Sequence, residues 1–400
     1  MKKSLLIVSH ALEIGGAERS LIGLLDALDP EHWDIDLFLL RHQGELIADI
    51  PEYVNLLPEV PAYTVLARPM KDTLREGHVL LTAARLTGRI AAGRYAKKHG
   101  HTESGVALEY SHKFTCPLMP KIQPGTEYDL AISFLTPHYF VAKKVQAKQK
   151  IAWIHTDYSR VQVNIPSETA MWSAYDHIAS ISDAVTESFL KTFPGLKPKI
   201  VLIENILPER LIKRQALKPI GTDMPANGYI RLLSIGRYCT AKNFDNIPDI
   251  CARLVSAGQN VKWYLIGYGG DEELIRQKIL EAGMGEHVIL LGKKENPYPY
   301  IKACDLYVQP SRYEGKCVTV REAQTLGKPV VITRYATSAS QLEEGVDGVI
   351  VPMDNEGCAA GIAALLRDPE KMRRLSENCK ARDYSNAQEV EKLYQLLPER

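Results

Sequence analysis

The chain has almost no surplus of charge. Lys and Arg number 49 against 48 Asp and Glu, a formal net charge of +1. General nucleic-acid binding, which rests on a basic excess, is therefore excluded as a principal activity. The seven cysteines (116, 239, 251, 304, 317, 358 and 379) form no C-x-x-C step and no zinc-ligand spacing, which removes structural zinc and dithiol chemistry. Their scatter and odd number fit a reducing compartment. No apolar run approaches the roughly 20 residues that span a bilayer. The start, Met1-Lys-Lys-Ser-Leu-Leu-Ile-Val8, sets two lysines before an apolar run that gives way to His10 and Glu13. That run is too short for a secretory signal and reads as a first buried strand. The expected location is cytoplasmic, at most attached to a membrane face. A G-x-G-x-x-G fingerprint is also missing. Gly15-Gly16 has Glu18 where the third glycine belongs, and Gly267-Tyr-Gly-Gly270 again lacks it, which argues against a dinucleotide oxidoreductase.

What is present is a 400-residue chain, 45% hydrophobic and 24% charged, long enough for two cores of ordinary soluble composition. Short apolar strands alternate with helical stretches, beginning at Leu5 to Val8 and Ile35 to Leu40. They resume after a segment punctuated by Pro208, Pro219 and Pro225. The expectation is an α/β chain of two doubly wound parallel sheets: residues 1–206, a connection over 207–228, and residues 229–383.

The most informative run is Ser311-Arg-Tyr-Glu314-Gly-Lys-Cys-Val-Thr-Val-Arg-Glu322, between a strand 305–309 and a strand 330–333. A helix opening at about Thr319 presents free backbone N–H groups of Gly315, Lys316, Cys317, Val318 and Thr319 to a phosphate. Glu322 lies a turn further in, where a carboxylate can meet ribose hydroxyls. Phosphate donors and hydroxyl acceptors on one short segment describe a nucleotide-sugar site. Cys317 reads as a small apolar filler there. Gly236, Arg237 and Lys242 follow the first strand of the second half, and such a basic pair can meet two phosphates. Gly15 and Gly16 follow the first strand of the other half, where glycine permits close backbone approach. His155 ends the strand 151–154, with Asp157 a weaker candidate beside it. Asp34-Ile-Asp36 has a metal-binding spacing but falls at a strand start, and reads as structural.

Tyr-Glu-Gly before a helix, Glu-Ala within it and Gly-Lys-Pro-Val-Val after it resemble the signature of glycosyltransferase family 4, most densely from Gly236 to Pro352. The resemblance implies the GT-B fold: two Rossmann-like domains facing a central cleft, with the last helix, within 384–400, crossing back to the first. It implies a retaining hexosyltransferase acting on a nucleoside diphosphate sugar, with front-face attack and no glutamate nucleophile. In the resemblance Arg237 and Lys242 bind the diphosphate, and Gly15 and Gly16 face it from the other domain. His155 contacts the transferred sugar near the anomeric carbon, and Glu314 its hydroxyls. The segment Gly292-Lys293-Lys-Glu-Asn296-Pro-Tyr-Pro-Tyr300 meets the base. Uracil and guanine stay unresolved by the residues, and UDP is expected as the commoner donor of such relatives. No metal or other cofactor is expected, because Arg237, Lys242 and helix N–H groups occupy its place. The implied acceptor is a lipid-linked glycan or oligosaccharide in surface-polysaccharide synthesis. A non-catalytic sugar-nucleotide binder and a UDP-sugar epimerase or hydrolase are the alternatives.

Residues 66–100 hold eight basic residues against Asp72 and Glu76. Val79, Ala83, Leu86 and Ile90 recur there at helical spacing. Two readings stand: an amphipathic face for an anionic leaflet, or a core helix with a solvated basic edge.

Overall fold

The computed structural model describes residues 2–397 apart from Ile14, Thr102, Glu103, Arg160 and Gly315. The chain divides into two compact units, Met1–Pro208 with Asn386–Arg400, and Glu209–Ser385. The first contains strands β1 (Lys3–Ser9), β2 (Trp33–Leu39), β3 (Val54–Leu56), β4 (Glu127–Ser133), β5 (Gln146–Ile154), β6 (His177–Ser180) and β7 (Ile200–Leu202). They form one parallel sheet in the order β3-β2-β1-β4-β5-β6-β7. The second contains β8 (Ile230–Ile235), β9 (Val261–Ile266), β10 (Val288–Gly292), β11 (Leu306–Gln309), β12 (Val330–Thr333) and β13 (Val349–Val351), ordered β10-β9-β8-β11-β12-β13. Each order starts outward from a first strand, then reverses across it. A doubly wound sheet opens a crevice at that switch point, outside the carboxyl ends of the two central strands.

The central strands read as unbroken apolar runs because helices cover both faces of a parallel sheet. Leu5, Leu6 and Ile7 are fully buried in β1, as are Leu232 and Leu233 in β8. Strand β3 was not legible in the sequence: three residues at a sheet edge carry too little pattern.

One expectation changes. The segment 207–228 is no bare connection, since most of it belongs to the second unit. Helix Glu209–Gln215 buries Leu211 and Ile212, and Asp223 accepts from Lys294 and Tyr300 at 2.8 and 2.6 Å. Asp36 lies inside β2, where it accepts from Asn55 and from the Tyr128 hydroxyl, a structural use of the Asp34-Ile-Asp36 pair. The chain end returns to the first unit. Tyr394 stacks on Trp33 at 5.8 Å and Lys392 donates to the Leu202 carbonyl at 3.0 Å.

Of four histidines in the first unit, His112 and His138 are fully buried and His10 and His155 largely enclosed but partly exposed. Burial lowers the pKa of His10 and His155 to about 4, and that of His112 and His138 well below the ordinary 6.5. All four are neutral at pH 7. Glu168 opposes them: burial outweighs its Tyr158 and Trp172 hydrogen bonds and raises its carboxyl to about 7.

The sign follows from linkage. A depressed histidine contributes stability that is present above 6.5 and lost as pH falls toward 4. The raised Glu168 contributes stability that is lost as pH rises through about 7. For His10, His155 and Glu168 each effect is worth about 2 kcal/mol between pH 7 and 5; the two histidines outweigh the one carboxyl, and His112 and His138 act in the same direction. The thermal midpoint of the first unit should drop by about 5 °C or more between pH 7 and 5, and differential scanning calorimetry reads it. A midpoint unchanged or rising over that range would contradict the burial of these rings.

Candidate functional site

The second sheet places its switch point between β8 and β11. The loop after β8 begins Gly236-Arg237 and tightens into a 3-10 turn, Thr240–Lys242. Asn243, next in the chain, takes a left-handed backbone (φ 61°) and donates its side-chain amide to the Pro310 carbonyl at 2.9 Å. Asparagine tolerates that conformation better than most residues. From the other loop, Arg312 forks onto both oxygens of Asp245 at 2.9 and 2.8 Å, and its N–H donates to the Ala241 carbonyl. A bidentate guanidinium–carboxylate pair fixes geometry as well as contributing attraction. The two loops are thus sewn together before any ligand arrives.

That closure brings Lys242 to Glu314. The Lys242 ammonium donates to Glu314 Oε1 at 2.6 Å, and the Ser311 hydroxyl donates to the same oxygen at 2.6 Å. Thr337 holds the backbone by donating to the Glu314 carbonyl at 2.7 Å. Burial works against the Lys242 ammonium, but the neighbouring Cys317 sulfur and the hydrogen-bonded Glu314 carboxylate prevail and raise its pKa. Burial also pushes the Cys317 thiol up, so at neutral pH Cys317 is uncharged and Glu314 supplies the balancing charge. Gly236 lies under this pair: a Cβ there would sit 3.2 Å from Lys242 Cδ. Arg237, on the same loop, is exposed.

Glu322 is buried in helix Val318–Thr325, and the Tyr298 hydroxyl donates to its Oε1 at 2.9 Å. The two segments expected to hold base and ribose are therefore joined by a hydrogen bond, through a tyrosine that the sequence reading gave only as one residue of the base-contacting segment 292–300. Asn296 is engaged locally: its amide donates to the Gln215 carbonyl at 3.0 Å and its oxygen accepts the Tyr298 N–H. Gly292 takes φ 67° at the end of β10, and the Lys293 ammonium lies 5.5 Å from the centre of the Tyr268 ring.

The expected row of free N–H groups is shorter than the sequence suggested. The Cys317 N–H donates to Gln341 Oε1 at 2.7 Å, while Gly315 falls outside the described residues. Lys316 is exposed. Val318 and Thr319 open the helix, which has no side-chain cap, and their amides remain the helix-end donors at the crevice. The Thr319 hydroxyl accepts from the buried Tyr307 hydroxyl at 2.8 Å.

Two glycines that the sequence argument weighed only as a dinucleotide fingerprint shape the neighbouring loop. A Cβ on Gly267 would lie 1.9 Å from the Gly236 carbonyl oxygen, and one on Gly269 2.3 Å from that of Tyr238. Gly267-Tyr-Gly-Gly270 thus backs the loop after β8. A pattern noted as a weak fingerprint carries a packing meaning instead.

Gly15, Gly16 and His155 belong to the first unit. Gly15 is the N-cap of helix Gly16–Ala27, and nothing lies within 4 Å of a Cβ built on Gly16. His155 follows β5, with its ring 4.6 Å from that of Phe134, and its buried Nε2 has no hydrogen-bond partner. An uncompensated buried nitrogen on a neutral imidazole invites a hydroxyl. Asp157 is occupied, accepting from the Ser159 N–H and from the hydroxyls of Ser159 and Ser188. Among the described residues, no group of three or more His, Cys, Asp or Glu side chains is arranged to hold a metal ion.

Residues 225–382 match the family model described as "Glycosyl transferases group 1". Over 205 residues the chain is 27% identical to the N-acetylgalactosamine-N,N'-diacetylbacillosaminyl-diphospho-undecaprenol 4-alpha-N-acetylgalactosaminyltransferase of Campylobacter jejuni, covering 51% of this chain and 54% of that protein. Over 296 residues it is 26% identical to the lipopolysaccharide core biosynthesis mannosyltransferase LpsB of Rhizobium meliloti, covering 68% and 82%. The chain spans about half the length of the first curated relatives it matches, from 39% to 54%. Anabaena Alr3699/HepE, solved in complex with UDP and glucose, superposes with a TM-score of 0.58 at 15% identity, over 99% of each chain. TarM superposes with a TM-score of 0.60 at 13% identity, over 100% of this chain and 99% of TarM. At such identities the likeness is one of fold. The fold is GT-B, and its second unit carries the group 1 glycosyltransferase segment.

Proposed function

We propose that the chain is a retaining glycosyltransferase that moves a sugar from a UDP-sugar to a glycan or lipid-linked glycan acceptor during surface-polysaccharide synthesis. The observation that carries this reading is the Lys242–Glu314 pair at the switch point of the second sheet, beside a buried Glu322. The group 1 match covers these residues. The relatives named for lipopolysaccharide core synthesis and for a diphospho-undecaprenol acceptor support the acceptor class. The neighbours solved with UDP and UDP-glucose support the donor.

Breaking the bond between the anomeric carbon and phosphate leaves negative charge on the departing oxygen, and a cation already in place lowers that barrier. An ammonium has three N–H donors in tetrahedral array. One of those on Lys242 is held by Glu314 and a second lies 4.0 Å from Cys317 Sγ; we assign the third to the diphosphate, with Arg237 alongside. Both hydrogen bonds to Glu314 fall on Oε1, so Oε2 is assigned to a sugar hydroxyl. Glu322, steadied by Tyr298, takes the ribose hydroxyls. In front-face transfer, the acceptor oxygen bonds to C1 as the C1–O bond to phosphate breaks. The acceptor's proton passes to the leaving phosphate, which avoids the two-carboxylate geometry of glycosidases.

Charged hydrogen bonds contribute about 1.5–3 kcal/mol, so Lys242→Ala should slow transfer by roughly 10- to 150-fold. Steady-state kinetics with a panel of UDP- and GDP-sugars measures this. Near wild-type turnover would remove Lys242 from the site. The two glutamates should separate. Glu322→Gln and Tyr298→Phe are expected to raise KM for the donor by about 10-fold with kcat nearly kept, whereas Glu314→Gln lowers kcat. A shared loss of UDP affinity in all three would contradict this division. EDTA should leave the rate unchanged, because cationic side chains and helix N–H groups face the diphosphate. Abolition by EDTA with rescue by magnesium or manganese would overturn that.

A further inference from the structure

Helix Val79–His99 spans 21 residues without one acidic side chain. Its inner side, at Leu81, Gly88 and Ala92, is buried and packs on helix Val106–Thr115. There a Cβ on Gly88 would come within 2.8 Å of the Tyr110 carbonyl. The outer side is not the usual polar one. Val79, Leu80, Leu86 and Ile90 are all exposed, Leu80 at 72% and Ile90 at 49%. At 100° per residue, Val79, Ala83, Leu86 and Ile90 share one narrow stripe, with Leu80 at its edge. Arg89, Arg94, Lys97 and Lys98 border or extend it, and all four are exposed. Helix Met70–Arg75 adds exposed Leu74, Lys71 and Arg75.

Two arginines of the same stretch do other work. Arg68 pairs with Glu76, and Arg85 turns inward to donate to the carbonyls of Val65 and Arg68. The stripe and its basic border are therefore not a core helix with a charged edge; apolar and cationic side chains share one solvent-facing surface.

We propose that this face, from Lys71 to Lys98, docks the protein on an anionic lipid surface, with the leucines and Ile90 entering the interface and the basic side chains on the head groups. The helix is not long and apolar enough to cross a membrane, which fits a helix that lies in the plane. A second copy of the chain is a poor occupant, because an isologous contact would set the same cations against themselves. The proposal uses the reading of a lipid-borne acceptor for its purpose only; the surface stands on its own geometry.

The test is co-sedimentation of the full chain with vesicles. Neutral phosphatidylcholine is compared with the same lipid containing about 30% phosphatidylglycerol, at about 0.1 M and about 0.5 M salt. Two double variants accompany the wild type, Leu86→Ser/Ile90→Ser and Arg89→Glu/Lys97→Glu, both at exposed positions. The expected result is binding to anionic vesicles alone, weakened by salt and reduced at least about 10-fold in each variant. UDP affinity and thermal midpoint should be unchanged in both. Wild type staying in solution, equal binding to neutral lipid, or variants binding as strongly would overturn the proposal. So would a dimer of the wild type, seen by sedimentation velocity without lipid, that the Leu86→Ser/Ile90→Ser variant dissolves. Intact UDP binding alongside lost lipid binding separates failure here from failure of the donor site.

Discussion

An ammonium and a carboxylate meeting at 2.6 Å close the two loops that flank the switch point of the second sheet. Parallel strands alone would leave these loops to solvent, free to splay. Lys242 and Glu314 convert them into a pre-formed pocket wall, and both are mostly withdrawn from water. A charge pair so placed is costly to break from one side, since the survivor stays half-buried without its partner. Around it, the Arg312–Asp245 fork, the Asn243–Pro310 contact and the close approach of Gly267 to Gly236 fix the backbone. The cation is thus held in place by the protein's own contacts, which is what the proposed role of stabilising a leaving oxygen requires.

The two units solve different problems with the same sheet plan. In the second, charge is concentrated and paired at the crevice. In the first, the carboxyl side of the sheet carries His10, His138 and His155, with His112 against His10 at 5.2 Å between rings, all kept neutral by burial. Neutral imidazoles can give or take hydrogen bonds without attracting a phosphate.

Much of this was legible in the sequence, because apolar runs and glycine turns are local. Strand 330–333 has the observed bounds, and Glu314, Glu322 and Lys242 stand on the segments expected of them. What escaped notice is held by contacts distant in sequence. Tyr298 reaches Glu322 across 24 residues, and Arg312 reaches Asp245 across 67; no spacing rule finds such pairs. The helix from Val79 shows another limit. Its periodicity revealed a stripe but not which way the stripe faces, and Arg85, beside that stripe in sequence, points inward. The proline-marked stretch 207–228 misled because prolines also occur in segments that pack, as Met224 does.

On the proposed assignment, Lys242 meets the diphosphate and not the nucleoside. Calorimetric titration of uridine, UMP and UDP into wild type and Lys242→Ala tests it most directly. UDP affinity should fall by about 10-fold or more in the variant, while uridine binding stays as it was. Equal losses for uridine and UDP, or an unchanged UDP affinity, would contradict it.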